Sequence, residues 1–384
     1  MVKSLELETI QLTEKTEELR QEIRQFLKKE IEEGAFVPHC DSWLSRWDAA
    51  FSRKLGQRGW LGMTWPKKYG GHERSALERY VVTEELLAFG APVAAHWFAD
   101  RQTGPLFLRY GTEKQRNEFL PRIAQGEIFF SIGLSEPNSG SDLASISTNA
   151  KKVDGGWRLN GSKVWTSGAH HAHFMVTLCR TSAKTDNRHE GLSQLVVDLS
   201  ATGVTLRPIK LMTGEHHFNE VFFEDVFVPD DMVVGTIGDG WKQSMAELAY
   251  ERSGPERFLS TFPLFVELIR VLKQEESNEH VKITIGKLAA RLTTLREMSL
   301  GVAGLLEKGV SPDVTAALVK DLGTKFEFQI AEAARELVAA QTQVTNVRFK
   351  SLLAEALLHS PGFTLRGGTT EILRGIIARG VGIR

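Results

Sequence analysis

The sequence predicts an α+β protein whose chain runs from helices into a β domain and back into helices. Three observations carry that expectation: apolar residues at helical spacing after Leu19, turn-forming segments clustered after Gly126, and the return of helical spacing after Gly240. They divide the chain into an N-terminal helical domain over 1–125, a middle β domain over 126–238 and a C-terminal helical domain over 239–384.

The first stripe is Leu19, Ile23, Phe26, Leu27 and Ile31, with Glu17, Arg20, Glu22 and Lys28 between them as a solvated face. Helical patterning continues over Asp48 to Leu55, Ala76 to Phe89 and Glu113 to Gln125, broken by loops at Trp65 to Gly71 and Gly90 to Pro92. Ile128 to Leu134 is a short apolar run that ends in the polar, turn-rich segment Ser135 to Asp142. Asp154-Gly155-Gly156 and Asn160-Gly161 read as hairpin turns, because glycine and asparagine tolerate positive φ. Further β segments are Phe174 to Cys179, Ser193 to Asp198, Val204 to Pro208 and Glu220 to Phe227. In the last domain Leu288, Leu292 and Leu295 form one stripe, and Leu318, Leu322, Phe326, Ile330 and Leu337 another. Ser311-Pro312-Asp313 predicts a helix start with proline in its first turn, and Ser253-Gly254-Pro255 a bend or restart.

Length and composition narrow the function. The chain has 384 residues, 47 basic against 48 acidic, so it has no global basic field for a nucleic acid or an anionic membrane. Two cysteines, Cys40 and Cys179, are too few for a disulfide framework or a thiolate metal site and point to a reducing compartment. No basic-then-apolar leader opens the sequence, and no apolar run reaches the ~18 residues of a membrane span, so a cytoplasmic protein is expected. The dinucleotide fingerprint, the phosphate loop and the G-x-S-x-G elbow are all absent. His170, His171, His173, His216 and His217 lack thiolates and any metal-binding spacing; they are expected on loops, with no metal.

Two segments carry chemistry. Leu134 to Asp142 follows a strand with backbone donors and the hydroxyls of Ser135, Ser139 and Ser141, which suits a pyrophosphate or a flavin edge. Trp165-Thr166-Ser167-Gly168 sets a large flat ring beside two hydroxyls, which suits the face of an isoalloxazine and a hydrogen bond to its nitrogen. On local grounds alone, a plain turn and a core tryptophan explain these segments at least as well.

Seven segments in order resemble the acyl-CoA dehydrogenase family. They are Gly59-Trp60-Leu61-Gly62 with Tyr69-Gly70-Gly71; Glu84-Glu85-Leu86; Arg109 to Gln115; Leu134-Ser135-Glu136-Pro137 with Gly140-Ser141-Asp142; Asn160 to Ser167; Phe223 to Pro229; and Gly367 to Arg374. The resemblance spans nearly the whole chain and implies a helical domain, a β-barrel-like domain and a C-terminal four-helix bundle. It also implies FAD as cofactor, with Leu134 and Ser135 on the flavin ring, Ser141 at the pyrophosphate or substrate, and Trp165, Thr166 and Ser167 on the ring's other side. Thr369 and Glu371 would approach the adenylate half.

The family reaction removes the α-proton of an acyl-CoA thioester while the β-hydrogen leaves as hydride to the flavin, and it needs a carboxylate base. In many members that base directly precedes the Gly-Thr pair of the last motif, but here the position is Gly367. A minority, including isovaleryl-CoA dehydrogenase-like enzymes, supply it from the first helix of the C-terminal domain, just before an arginine. Leu248-Ala249-Tyr250-Glu251-Arg252 matches that pattern, so the resemblance implies Glu251 as base and Arg252 as a substrate contact, with Glu247 one turn earlier as a second carboxylate. R-x-x-F-G and Q-x-x-G-G, which reach a neighbouring subunit's FAD in the family, are replaced here by Lys273 to His280 and Gln341 to Asn346. Implied partners are an acyl-CoA, an electron-transferring flavoprotein, and either further copies of this chain in a dimer or tetramer or a related subunit in a heterotetramer, as in members acting on steroid side chains. The alternatives are a non-catalytic subunit that completes another chain's flavin site, and a flavin oxidase.

Overall fold

The computed structural model describes residues 5–251, 254–273, 278–339 and 346–383, and of residues 248–251 and 339 the backbone only. The chain forms two compact units, each assembled from separated stretches: Met1–Arg46, Ser75–Pro92 and Glu251–Arg384 make one, and Trp47–Arg74 with Val93–Tyr250 the other. With helices and strands numbered in chain order, the first unit holds α1 (Glu14–Glu32), α2 (Ser42–Ser45), α4 (Ala76–Ala88), α9 (Phe262–Leu272), α10 (Glu279–Glu307), α11 (Asp313–Ala339), α12 (Val347–Phe363) and α13 (Thr370–Gly380). The second holds α3 (Ala49–Gln57), α5 (Ala94–Phe98), α6 (Gly104–Tyr110), α7 (Glu113–Ala124), the strands, and α8 (Gly240–Glu251) up to its last residue.

In the helical unit α11 packs against α9, α10, α12 and α13, and α4 packs against α1 and α10. Buried charges tie the latter three. Arg20 on α1 reaches Glu84 and Glu85 of α4, both at 2.6 Å, and Arg296 on α10 reaches Glu84 at 2.8 Å. The motif Glu84-Glu85-Leu86 is thus a helix-packing device. Helix α4 opens on a reciprocal capping box between Ser75 and Glu78, and α7 on another between Thr112 and Gln115, which satisfy amide donors left over at each start.

Two expectations for α11 need correction. The Pro312 carbonyl accepts from the Ala316 amide at 2.7 Å, so proline stands just ahead of the helix and not in its first turn. Leu322 is 42 % exposed and does not belong to the core stripe. At Gly323 a Cβ would lie 2.2 Å from the Arg257 carbonyl oxygen, so the buried face follows this close approach and runs through Val319, Gly323, Phe326 and Ile330. Gly254 is extended and the chain restarts in a 3-10 turn, Pro255–Arg257; Ser253 lies outside the described residues.

The second unit is built on a curled seven-stranded sheet, ordered β1 (Phe130–Gly133), β4 (Phe174–Arg180), β2 (Asn149–Val153), β3 (Gly156–Ser167), β7 (His216–Pro229) and β6 (Val204–Lys210), with β5 (Leu192–Asp198) paired to β4. Strands β1 and β4 are parallel, while β2 with β3, β3 with β7, β4 with β5 and β6 with β7 are antiparallel. Successive residues of β4 and β5 face opposite cores, as strands covered on both sides must. Val176 and Val196 join Phe107, Phe119 and Phe130 beside α6 and α7, while Met175, Leu195 and Val197 join Trp157, Val221 and Phe223.

Asp154-Gly155 makes the expected hairpin between β2 and β3, but Asn160-Gly161 does not turn the chain. It lies within β3 opposite an extra residue of β7: the two steps from Leu159 to Gly161 face the three from Val226 to Phe223. Gly161 has φ 136°, and a Cβ there would meet Thr148 at 2.6 Å. The glycine serves a close backbone approach, which an Asn-Gly pair signals as readily as a hairpin.

Candidate active site

The site is built where the end of β1 meets the end of β3. Strand β1 stops at Gly133, where a Cβ would lie 2.6 Å from the methyl group of Met175. The chain then turns through Leu134 to Asp142, anchored by a buried ion pair. Lys163, fully buried on β3, donates to the Leu134 carbonyl at 3.0 Å and to Glu136 Oε1 at 2.8 Å. Glu136 also accepts from the Thr148 amide at 2.9 Å, the Ser147 amide at 2.7 Å and the Ser147 hydroxyl at 2.8 Å. Burial by itself raises this carboxyl, but Lys163 and the other donors outweigh it and hold the group down at about 2.

The turn is less open than the sequence implied. The amides of Glu136 and Ser139 are spent on each other's carbonyls, at 2.9 and 3.0 Å, and the Ser139 hydroxyl donates to the Asp142 carbonyl at 2.5 Å. Ser141 is exposed and Ser135 half-buried. The Ser135 carbonyl accepts from the Val164 amide at 2.9 Å, which binds the start of the turn to β3 beside Trp165.

At Trp165 strand β3 carries one extra residue: Lys163 pairs with Val221, whereas Thr166 pairs with Asn219. Trp165 takes the left-handed backbone, φ 59°, and its indole is 58 % exposed, edge-on to Phe218. It is no core tryptophan. Thr166 is buried, 1 % exposed, while Ser167 is half-buried, so the alternation of the strand sets Trp165 and Ser167 on the open face and Thr166 behind them.

Behind this bulge stands a group that spacing alone did not reveal. Asn219, fully buried on β7, donates from Nδ2 to the Thr166 carbonyl at 3.0 Å, lies 3.0 Å from His170 Nδ1, and holds His216 Nε2 at 2.8 Å with its Oδ1. The His170 and His216 rings stack with centroids 3.7 Å apart, and His171 lies 4.0 Å from His170. Burial, then His171 and His216, push the His170 imidazole down to about 4. Among the described residues no three His, Cys, Asp or Glu side chains are arranged to hold a metal ion.

On α8, Glu247 is buried and accepts from Gln194 Nε2 at 2.6 Å, and the same amide nitrogen lies 3.2 Å from the Ser244 hydroxyl. Glu247 also lines a small groove with Arg101, Gln102, Tyr110 and Gln243, beside a π-helical stretch, Ala99–Thr103. Glu251 closes α8. The Glu251 side chain, Arg252 and much of the two departing segments, 274–277 and 341–345, lie outside the described residues.

In the helical unit the last motif is rigidly held. Arg366 pairs with Asp41 at 2.8 Å and stacks over Trp43 at 4.5 Å, and Lys320 donates to the Gly368 carbonyl at 2.7 Å. Gly367 and Gly368 take φ 66° and 102°, a region where a side chain is strained, so a glutamate at Gly367 would oppose the backbone. Thr369 is the N-cap of α13, and Glu371 sits in the first turn, its carboxyl lowered by its own amide and by the Thr369 hydroxyl.

Comparison with known proteins matches this architecture. Residues 13–127, 131–226 and 238–382 match the N-terminal, middle and C-terminal domains of acyl-CoA dehydrogenases. The chain is 33 % identical over 327 residues to acyl-CoA dehydrogenase FadE34 of Mycobacterium tuberculosis, covering 84 % of this chain and 44 % of that protein. It is 31 % identical over 392 residues to acyl-CoA dehydrogenase FadE29 of the same organism, covering 96 % and 97 %. The chain thus spans less than half the length of the first relative and nearly all of the second. Among solved structures it resembles the Tcur3481-Tcur3483 steroid ACAD, with 26 % identity, a TM-score of 0.86, and coverage of 97 % and 99 %. The three domains follow in the order N-terminal, middle and C-terminal, each matched to its acyl-CoA dehydrogenase counterpart. The chain belongs to the acyl-CoA dehydrogenase family.

No helix among the described residues is long and apolar enough to cross a membrane.

Proposed function

We propose that the chain is an FAD-dependent acyl-CoA dehydrogenase that introduces an α,β double bond into an acyl-CoA thioester, with Glu251 as the base. The observation that carries the base assignment is Gly367: the family's usual position has neither a side chain nor a backbone suited to one. The carboxylate therefore comes from the end of α8, where Glu251 precedes Arg252, a substrate contact by the same match.

The residues at the bulge fit a flavin. Trp165 offers an exposed flat ring, Ser167 shares its face, and Leu134 and Ser135 are fastened alongside through Val164. Among the described residues the hydroxyls of Ser135 and Ser167 have no hydrogen-bond partner, which leaves both for a ligand. Thr166 would take part through its main chain. Ser141 serves the pyrophosphate or the substrate, and Thr369 and Glu371 the adenylate half. When bound, FAD supplies the acceptor for the β-hydride. Glu251 takes the α-proton onto its carboxylate, and its charge is consumed as the enoyl product forms.

Glu247 is not the base in this scheme: its carboxylate is buried against Gln194, a contact that fastens α8 to β5. The likeness to a steroid ACAD named for two chains, together with the replaced neighbour-binding motifs, supports a polycyclic or branched acyl group and a related subunit as partner. An electron-transferring flavoprotein is the proposed electron acceptor.

The test is an absorbance spectrum of the purified chain with FAD counted per polypeptide and a panel of acyl-CoA thioesters added. Glu251→Gln should retain flavin and lose bleaching by every thioester that bleaches the parent; retained turnover would sink the assignment. A chain that is colourless alone and yellow only with a related subunit would favour the site-completing role.

A further inference from the structure

Beneath the exposed Trp165 bulge lies a buried polar group that the proposed chemistry does not use. Asn219 is fully buried and all its amide capacity is directed. Oδ1 receives His216 Nε2 at 2.8 Å, and Nδ2 serves both His170 Nδ1 and the Thr166 carbonyl at 3.0 Å. This assignment requires His216 to carry its proton on Nε2 and His170 to leave Nδ1 bare. A neutral His170 meets that condition, and its burial beside His171 and His216 keeps it neutral.

The Thr166 carbonyl and the Ser167 amide are the two ends of one planar peptide, so a donor fixed on the carbonyl sets the plane in which the N–H points. It also polarises the group, strengthening the N–H as a donor by ~10–30 %. The ladder leaves that N–H available. Gly168 donates to the His217 carbonyl at 3.0 Å, and in the alternation of an antiparallel pair this makes Ser167 opposite Phe218 the non-hydrogen-bonded position. The Ser167 N–H is therefore directed away from β7.

We infer that Asn219 is a positioning residue for the redox chemistry: held between His170 and His216, it clamps the Thr166–Ser167 peptide so that the Ser167 N–H and hydroxyl are presented as oriented donors to the bound flavin ring. The inference rests on the flavin reading of Trp165 and Ser167. Donors aimed at the ring favour its reduced, more electron-rich form, so the clamp acts on the redox equilibrium rather than on FAD retention.

The experiment is a redox titration of bound flavin, with its visible spectrum and FAD content, for the parent, Asn219→Leu and Asn219→Val. Expected is full FAD occupancy with a roughly tenfold shift of the equilibrium toward oxidised flavin, about 30 mV for a two-electron couple, and an altered visible band shape. Should the leucine variant fail to fold, the smaller, strand-favouring valine carries the same expectation. Full occupancy with unchanged potential and spectrum in a folded variant overturns the clamp alone. A parent chain that takes up no FAD, alone or with a related subunit, overturns the flavin reading and the clamp with it.

Discussion

Glu136 in the β unit and Glu327 in the helical unit are both withdrawn from water, 6 % and 0 % exposed, yet they lie on opposite sides of their ordinary pKa. Glu136 meets Lys163 and three donors from Ser147 and Thr148 and is held down at about 2. Glu327 accepts the Ser260 amide at 2.7 Å, and there burial outweighs Arg366 and Ser260 and pushes it up to about 7. Burial alone thus decides nothing about charge; the number and sign of the donors do. One carboxylate is a permanent anchor under the turn that follows β1, and the other changes charge near neutrality.

The sharpest way to break this contrast is to take away the lysine. Lys163→Met leaves Glu136 buried without its counter-charge and should cost about 3–5 kcal/mol, read as a lower urea midpoint. Glu136→Gln combined with Lys163→Met should recover much of that loss; equal instability of the single and double variants would mean that packing, not charge, anchors the turn.

A second, slightly smaller effect lies in the pH dependence. Glu327 releases its proton in the unfolded chain near the ordinary glutamate value of 4.5 but in the folded chain at about 7. Across that window the folded state binds more protons, so stability falls as pH rises, by of the order of 3 kcal/mol in all. Glu136 has the reverse sign: its contribution is present above 4.5 and lost as pH falls toward about 2. Urea unfolding at pH 5 and pH 8 should therefore show Glu327→Gln flattening the loss seen in the parent, and an unchanged slope would refute the charge change.

The smallest effect concerns Thr369. As N-cap of α13 it should cost about 1 kcal/mol when replaced by alanine. If it also meets the adenylate, FAD affinity should fall by more than the melting temperature explains.

The order of helices, strands and helices and the bounds of α3, α4 and α7 to within two residues were legible because apolar spacing reports a face, and faces are what packing selects. Leu322 defeats that logic: it keeps the helical period, but Gly323 invites the Arg257 main chain, and the buried face turns accordingly. Asn160-Gly161 misled for a related reason, since a positive φ serves a close backbone approach and a turn alike. In the candidate site, the flat ring and hydroxyls of Trp165 and Ser167 could be read locally, but not the exposure of Trp165, because the extra residue in β3 puts it in left-handed backbone. The Lys163–Glu136 pair and the Asn219 contacts were invisible, being made across 27 and 53 residues by strands whose register no local pattern encodes.

The way the helical unit is drawn from three stretches of chain sets an order in time as well as in space. Glu84 emerges early during synthesis, beside Arg20, but Arg296 lies 212 residues downstream. At translation speeds of ~5–20 residues per second, α4 waits roughly 10–40 s for its second counter-ion. The nascent α1–α4 pair is therefore an unfinished surface for most of the chain's synthesis, and a ribosome that pauses before α10 prolongs its exposure to chaperones and proteases.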